Sequence, residues 1–441
     1  MGRDSQLDWP AVLAVPDAEP EPGDRPASLS WRATARAVLP AFLVTRLLTF
    51  VAGIVAVQAW GVKPVQDVYD PAGLTTKLGG AFQDLFAPYI RWDAVWFLDI
   101  AGVGYPTSYA PRTAFFPLYP VLVNVGGFLV RSPMVAGLLL SLACAYAGAM
   151  VVHRLTDLEL GRRSAGMAVW ALLAFPGSLW LTALYSEGLF LLLSAGCLYA
   201  ARGRRWPLAA TLGALAALTR SAGVVLLVPI LVMAWQQHRD DLQARRRSDP
   251  REAAPPVRPP WGALAAAAAV PAGTLVFFVG LWIAGHPFTV SLDQQQEWGR
   301  ENVGPISAVL RAIEAAGDGL SALFSSGLTS AGLEWMNPLL LVFLVVGLVA
   351  LVGTARRLPP AYAAYCGAAL LMPLSAPAVG GGEPLMSLPR FLGVLFPLAM
   401  WAGWWLTHGR HQRLRRVVLG AAGLGLLVLF SALTARWTFV A

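Results

Sequence analysis

Charge is scarce in this sequence. Asp, Glu, Lys and Arg make up 13% of its 441 residues, where ordinary globular chains carry about 25%. Lysine is nearly missing: all but Lys63 and Lys77 of the 33 basic residues are Arg. Only three Cys occur, Cys144, Cys197 and Cys366, each inside an apolar segment. So odd and dispersed a set excludes a disulfide framework and a cysteine-ligated metal site. No Walker loop and no His-Glu-x-x-His spacing is present, so the residues for phosphate-loop or zinc-hydrolase chemistry are missing. The five His are scattered, and His408 and His411 sit in a basic loop that reads as solvated. Gly420, Gly423 and Gly425 follow no strand; they suit close helix approach, not a nucleotide loop.

What is abundant is apolar surface. Hydrophobic residues reach 56% before the 43 glycines are counted. Several runs attain the ~20 residues that cross a ~30 Å hydrocarbon layer. A soluble protein, a disulfide scaffold and a disordered chain are excluded, which leaves an all-α polytopic membrane protein. The net charge of +8 would suggest nucleic acid in a soluble domain. Here the Arg lie in short clusters between apolar runs, which is a topology signal, and no nucleic-acid partner is expected.

Eleven spanning helices are predicted, near 37–60, 134–153, 165–183, 186–201, 206–219, 222–235, 261–284, 337–354, 360–377, 388–406 and 417–438. Residues 1–36 read as a disordered cytoplasmic tail without the apolar core of a signal peptide. Residues 37–441 form one transmembrane domain. With the N-terminus inside, the Arg clusters at 154–163, 202–205, 239–258, 356–357 and 410–416 all fall on the cytoplasmic side. The opposite side receives long loops at 61–133 and 285–336, while 236–260 is a cytoplasmic linker. The run Phe116–Val130 is apolar enough to cross, but a crossing there would invert every later Arg cluster. It is therefore expected to be re-entrant or interfacial. A break at Arg220-Ser221-Ala222-Gly223 keeps the parity and marks the edge of a cavity, since non-helical backbone at depth needs protein or water around it.

The first outer loop carries Arg91-Trp92-Asp93-Ala94-Val95-Trp96-Phe97-Leu98-Asp99-Ile100. Its aromatics suit the headgroup level, with two carboxylates held at the lipid boundary. Composition alone favours a plain interfacial helix with solvated charges. Tyr185-Ser186-Glu187 lies at a tight turn, Thr219-Arg220-Ser221 at the broken helix, Trp298-Gly299-Arg300 in the second long loop and Pro389-Arg390-Phe391 at a late helix start. Arg46, inside the first helix, is a further functional suspect. For each, a bland use exists: a helix start, a turn or a snorkelling side chain. Together they gather cations suited to a lipid phosphate and a carboxylate suited to deprotonating a hydroxyl. That chemistry is group transfer from a lipid phosphate to an alcohol.

Arg-Trp-Asp, the following Phe-Leu-x-Ile-Ala-x-x-Gly-Tyr, and Ala114-Phe115-Phe116-Pro117-Leu118-Tyr119-Pro120 resemble the PIG-V-like mannosyltransferases of the GT-C superfamily. Leu184-Tyr185-Ser186-Glu187, Leu218-Thr219-Arg220-Ser221 and Pro389-Arg390-Phe391 recur in that family's order, and the resemblance runs from about 38 to 406. Trp96 and Asp99 depart from it, standing where members often have His. The resemblance implies a GT-C-like fold and an inverting, metal-free and cofactor-free transfer of a sugar, usually mannose. The donor would be a polyprenyl-phosphate sugar and the acceptor a hydroxyl on a lipid or glycan; the sidedness of the Arg clusters puts the site at the outer face of the plasma membrane. The resemblance places the catalytic acidic residue, acting as general base, at Asp93. Arg220, Arg390, Arg91 and Arg300 are then expected at the donor phosphate. Glu187, Trp92, Trp96, Tyr185 and Asp99 are expected to contact sugar or acceptor. A secondary transporter, a lipid flippase or a non-catalytic membrane subunit remains the alternative.

Overall fold

The structure, a computed structural model, describes residues 29–247, 257, 259–326, 334–380 and 382–440. Most of the expected tail, and residues 248–256 and 258 of the expected linker, lie outside these residues. The described part is helical: α1 (Trp31–Trp60), α2 (Gln66–Tyr69), α3 (Gly80–Phe86), α4 (Asp93–Val103), α5 (Leu118–Val130), α6 (Pro133–Leu160), α7 (Arg162–Ala174), α8 (Glu187–Arg202) and α9 (Trp206–Thr219). The order continues with α10 (Leu227–Arg247), α11 (Trp261–Ile283), α12 (Val290–Asp293), α13 (Pro305–Ser326), α14 (Met336–Arg357), α15 (Pro360–Ser375), α16 (Leu388–Val394), α17 (Phe396–Thr407) and α18 (Gln412–Ala435).

Among the described residues, six stretches are long and apolar enough to cross a membrane: Trp31–Trp60, Pro133–Leu160, Ser221–Arg247, Trp261–Ile283, Met336–Arg357 and Gln412–Ala435. The chain is a multi-pass membrane protein. The 13-residue α5 rises only about 20 Å, too short to cross upright. It folds back on α6 as a hairpin, with Gly127 against Pro133.

Several boundaries differ from expectation for local reasons. α1 begins inside the expected tail, because Ser30 caps Ala33 N and the Arg154 guanidinium sits 4.4 Å over the Trp31 ring. α10 continues twelve residues past 235, tied by Gln237 to Ala201 O at 3.0 Å and by Asp241 to Arg204 at 2.7 Å. The span expected at 165–183 stops at Ala174, before Pro176, and continues as a 3-10 turn over Pro176–Leu181. The span expected at 388–406 breaks at Leu395, two residues before Pro397. The second long loop is not irregular; it contains α13, which buries Ala308, Ala312 and Ala316 and exposes Ile306, Leu310 and Phe324.

Arg46 explains the α7 break. Its guanidinium donates to Leu173 O (2.9 Å), Ser178 O (2.6 Å), Ser178 Oγ (2.8 Å) and Thr182 Oγ1 (2.6 Å). Leu173 O and Ser178 O are carbonyls at the break, where the intrahelical hydrogen bonding of α7 ends; the other two acceptors are hydroxyls of the 3-10 turn and the residue after it. The residue suspected of function is a structural cap.

Contacts sort the turns to two ends. Arg154 reaches Leu29 O, Arg163 reaches Gln412, Arg202 and Tyr362 share Glu159, and Arg357 lies over Trp404. The described residues of the Arg clusters read from the sequence therefore share one end of the bundle. At the other end Arg436 reaches Trp60 O, Arg91 reaches Ala435 O, and Asp93, Glu187, Arg220 and Arg390 meet.

Candidate active site

Three helix starts and one helix break bring the charged groups together. Asp93 is the first residue of α4 and Glu187 the first of α8, positions where the helix dipole favours a carboxylate. Arg390 stands in the first turn of α16, and Arg220 lies in extended backbone between α9 and the 3-10 turn Ser221–Leu226. The approach of α16 depends on Gly177: a Cβ there would lie 1.9 Å from Pro389 O.

The pairing is dense. Glu187 Oε1 accepts from Arg390 Nε and from Arg220 Nη1, and Asp93 Oδ2 accepts from Arg390 Nη1. Arg220 Nη1 also donates to Ser186 Oγ at 3.2 Å. The Arg390 guanidinium lies 4.8 Å from the Tyr185 ring centroid and 5.9 Å from that of Trp180. Glu187 is fully buried and its Oε2 has no hydrogen-bond partner. Asp93 is the more accessible carboxylate.

Arg300 approaches from the second loop. It donates to Ala376 O at 3.0 Å, lies 5.7 Å over the Phe391 ring and pairs in the backbone with Ala378. Burial, and then Arg390 and Arg220, lower its pKa to about 10, while Asp93 opposes them. Three Arg against two carboxylates leave one positive charge in excess.

These groups face a cavity of about 1410 Å³ lined by Asp93, Arg220, Arg300 and Arg390. Phe190, Ala368, Leu371 and Met372 continue the same wall in apolar residues. Among the described residues, no group of three or more His, Cys, Asp or Glu is placed to hold a metal ion.

Other expected site residues are placed differently. Arg91 does not line the cavity; it is buried, donates to Ala435 O at 3.1 Å and lies 5.2 Å over Trp437. Tyr185 is buried, its hydroxyl donating to Arg91 O (3.1 Å) and accepting from Asp93 N (3.0 Å). It fixes the start of α4. Asp99 lines the cavity but is paired with Arg112 at 2.5 Å. Trp96 is occupied by protein rings: it stacks on Tyr109 (5.8 Å, 9°) and Phe115 (5.6 Å, 18°), with Trp298 edge-on. Trp92 is wedged between Tyr69, Trp437 and Phe439.

Sequence reasoning missed Arg112, Tyr109 and Phe439, all in the cavity wall. Arg112 was within reach, since it closely precedes the Phe-Phe-Pro-Leu-Tyr-Pro run. Nothing in the sequence joins residue 439 to residue 92.

Residues 42–250 match the family model described as Mannosyltransferase (PIG-V). The resemblance read from the sequence is thereby borne out over that segment. It contains Asp93, Glu187 and Arg220; Arg300 and Arg390 lie beyond it. The chain is 32% identical over 173 residues to GPI alpha-1,6-mannosyltransferase 2 of Cricetulus griseus, covering 36% of this chain and 34% of that protein. It is 28% identical over 148 residues to GPI mannosyltransferase 2 of Schizosaccharomyces pombe, covering 32% and 31%. The chain thus spans about a third of the length of the curated relatives it matches. Among solved structures it is similar to the archaeal oligosaccharyltransferase AglB of Archaeoglobus fulgidus in complex with an inhibitory peptide and a dolichol-phosphate. There the TM-score is 0.43 at 12% identity, over 93% of this chain and 57% of that one.

Proposed function

We propose that this chain is an inverting GT-C-type mannosyltransferase that takes its sugar from a polyprenyl-phosphate donor. The observation that carries the reading is one cavity holding Asp93 beside Arg220, Arg390 and Arg300 and running into apolar wall. The match to the PIG-V family and the mannosyltransferase names of the relatives support the sugar.

In this reading the arginine forks hold the donor phosphate and the apolar wall takes the first prenyl units. Asp93 takes the proton of an acceptor hydroxyl on a lipid or glycan. The acceptor oxygen bonds to the sugar C1 as the C1–O bond to phosphate breaks, and the configuration inverts. Polyprenyl phosphate leaves with the bonding pair, and the excess positive charge meets the negative charge that grows on it. Glu187, buried behind the arginines, keeps both forks aimed. The Arg-cluster end faces the cytoplasm with the N-terminus, the site faces outside the plasma membrane, and the bundle crosses eleven times.

The test is mannose transfer from radiolabelled polyprenyl-phosphate mannose in membranes carrying each variant at matched expression. Asp93→Asn keeps the shape but loses the base, and transfer is expected to fall by roughly 10²–10⁴-fold. Asp99→Asn, already committed to Arg112 in the native chain, is expected to fall far less. Retained activity in Asp93→Asn with loss in Asp99→Asn would reassign the base. No transfer by the wild type would remove the enzyme reading.

A further inference from the structure

Trp92, the residue before Asp93, has φ 55° and ψ −118°. A non-glycine residue seldom holds positive φ, and it does so only where the surroundings over-determine it. Here three rings surround it edge-on: Tyr69 at 4.7 Å, Trp437 at 5.5 Å and Phe439 at 5.2 Å. Two of the three, Trp437 and Phe439, come from the segment that follows α18.

That segment is itself tied down. Arg436 donates to Gly61 O (3.0 Å) and Trp60 O (3.1 Å) at the end of α1, and Lys63 N donates to Arg436 O (3.3 Å). Trp437 is buried and also at positive φ, 60°. On its near side Arg91 joins the same structure, with Nε on Ala435 O and its guanidinium over the Trp437 ring. Both residues before Asp93 are therefore gripped by one stretch of chain, and Phe439 continues from that stretch into the cavity wall.

We infer that the segment Arg436–Val440 is a positioning clamp for the first turn of α4. It holds Trp92 in its strained conformation and so sets where the Asp93 carboxylate points. The part played by Asp93 rests on the mannosyltransferase reading; the clamp itself does not. Its residues touch no reacting atom. Trp437 acts through Trp92 and Arg91, so its loss should let the backbone at residue 92 relax and turn the carboxylate off its line to Arg390.

The experiment uses the full chain in nanodiscs, with Val95→Cys, a cavity-lining position, as reporter. The native thiols Cys144, Cys197 and Cys366 are buried and leave a low background. Trp437→Ala is expected to raise the rate at which a charged methanethiosulfonate modifies residue 95, without lowering the melting temperature enough to unfold the protein at the assay temperature. Trp437→Phe, which keeps a ring at that place, should restore the native rate. In the transfer assay Trp437→Ala should lower kcat about 10–10²-fold, the cost of misaligning a reacting group, with the donor KM unchanged. An unaltered modification rate in Trp437→Ala overturns the clamp. So does a loss confined to the amount of folded protein, with turnover per folded molecule intact. If the wild type transfers no mannose, the enzyme reading falls while the modification rates still decide the clamp.

Discussion

At one end of the bundle Arg204 meets Asp241 with 34% and 22% of the side chains exposed, and Arg202 at 49% reaches out over Glu159 at 7%. At the other end Arg220 and Arg390 meet Glu187 with 13%, 11% and 1% exposed. The residue types are the same and the energetics are not. An exposed pair exchanges water for a partner at little gain, about 0–1 kcal/mol. A buried pair has lost its water already, so removing one member strands the other and costs about 3–5 kcal/mol. The solvated end decorates helix turns. The buried end holds its charges by mutual pairing, and in the proposed reading the one excess positive charge among Arg220, Arg390 and Arg300 is what a donor phosphate would complete.

The contrast fails outright if the two ends do not face opposite sides of the membrane. Single cysteines at Asp84 and Glu297, both exposed at the cavity end, are expected to react with an impermeant reagent in intact cells. One at Arg245, at the Arg-cluster end, is not. Labelling at 245 alone would turn the site toward the cytoplasm.

Glu187 is where the buried end should break. Glu187→Ala leaves Arg220 with Ser186 Oγ and Arg390 with Asp93. The expected loss is about 3–5 kcal/mol of stability, read as a lowered melting temperature in nanodiscs. A loss below about 1 kcal/mol would mean that the cluster is water-filled and equivalent to a surface pair. The matching change at the other end, Arg204→Ala, is expected to cost at most about 1 kcal/mol, and less as salt is raised.

The same contrast explains what the sequence could disclose. Arg sidedness was legible because charge avoids the hydrocarbon layer wherever the chain turns, and the break at Arg220 because an unpaired Arg at depth needs a local reason. That Asp93, Glu187, Arg220 and Arg390 would converge followed from the cost of buried charge. Partner choice did not follow. Arg91 and Arg390 both precede or open a helix, yet one is spent on Ala435 and Trp437 and the other on Asp93 and Glu187. Arg46 shows the same limit, since an Arg in a membrane helix reads alike as cap or as ligand group. Ring contacts such as Trp96 on Tyr109 and Trp92 on Phe439 arise only when distant segments close on each other. Periodicity within one helix carries no trace of them.

An effect spread over a pH window lies between the two extremes of burial. Glu383 sits in the 376–387 segment that leads from Arg300's partner Ala376 to Arg390, beside a second cavity of about 480 Å³. Facing it are Arg311, Glu314 and Asp318 from α13, Glu334 just before α14 and Asn337 in its first turn. Burial pushes its carboxyl from an ordinary value near 4.5 up to about 7. The folded state therefore holds this proton more tightly than the unfolded state does. Between pH 4.5 and about 7 the unfolded chain releases the proton and the folded chain does not. Stability from this group is thus full below pH 4.5 and is lost as pH rises through about 7, with a slope of at most ~1.4 kcal/mol per pH unit. Glu383→Gln keeps the shape and removes the titration. Its melting temperature should vary less with pH across that window than the wild type's, and should exceed the wild type's at pH 8. Parallel curves for the two proteins would mean that Glu383 is hydrated in the folded state, and that the 376–387 segment belongs with the solvated end in its energetics.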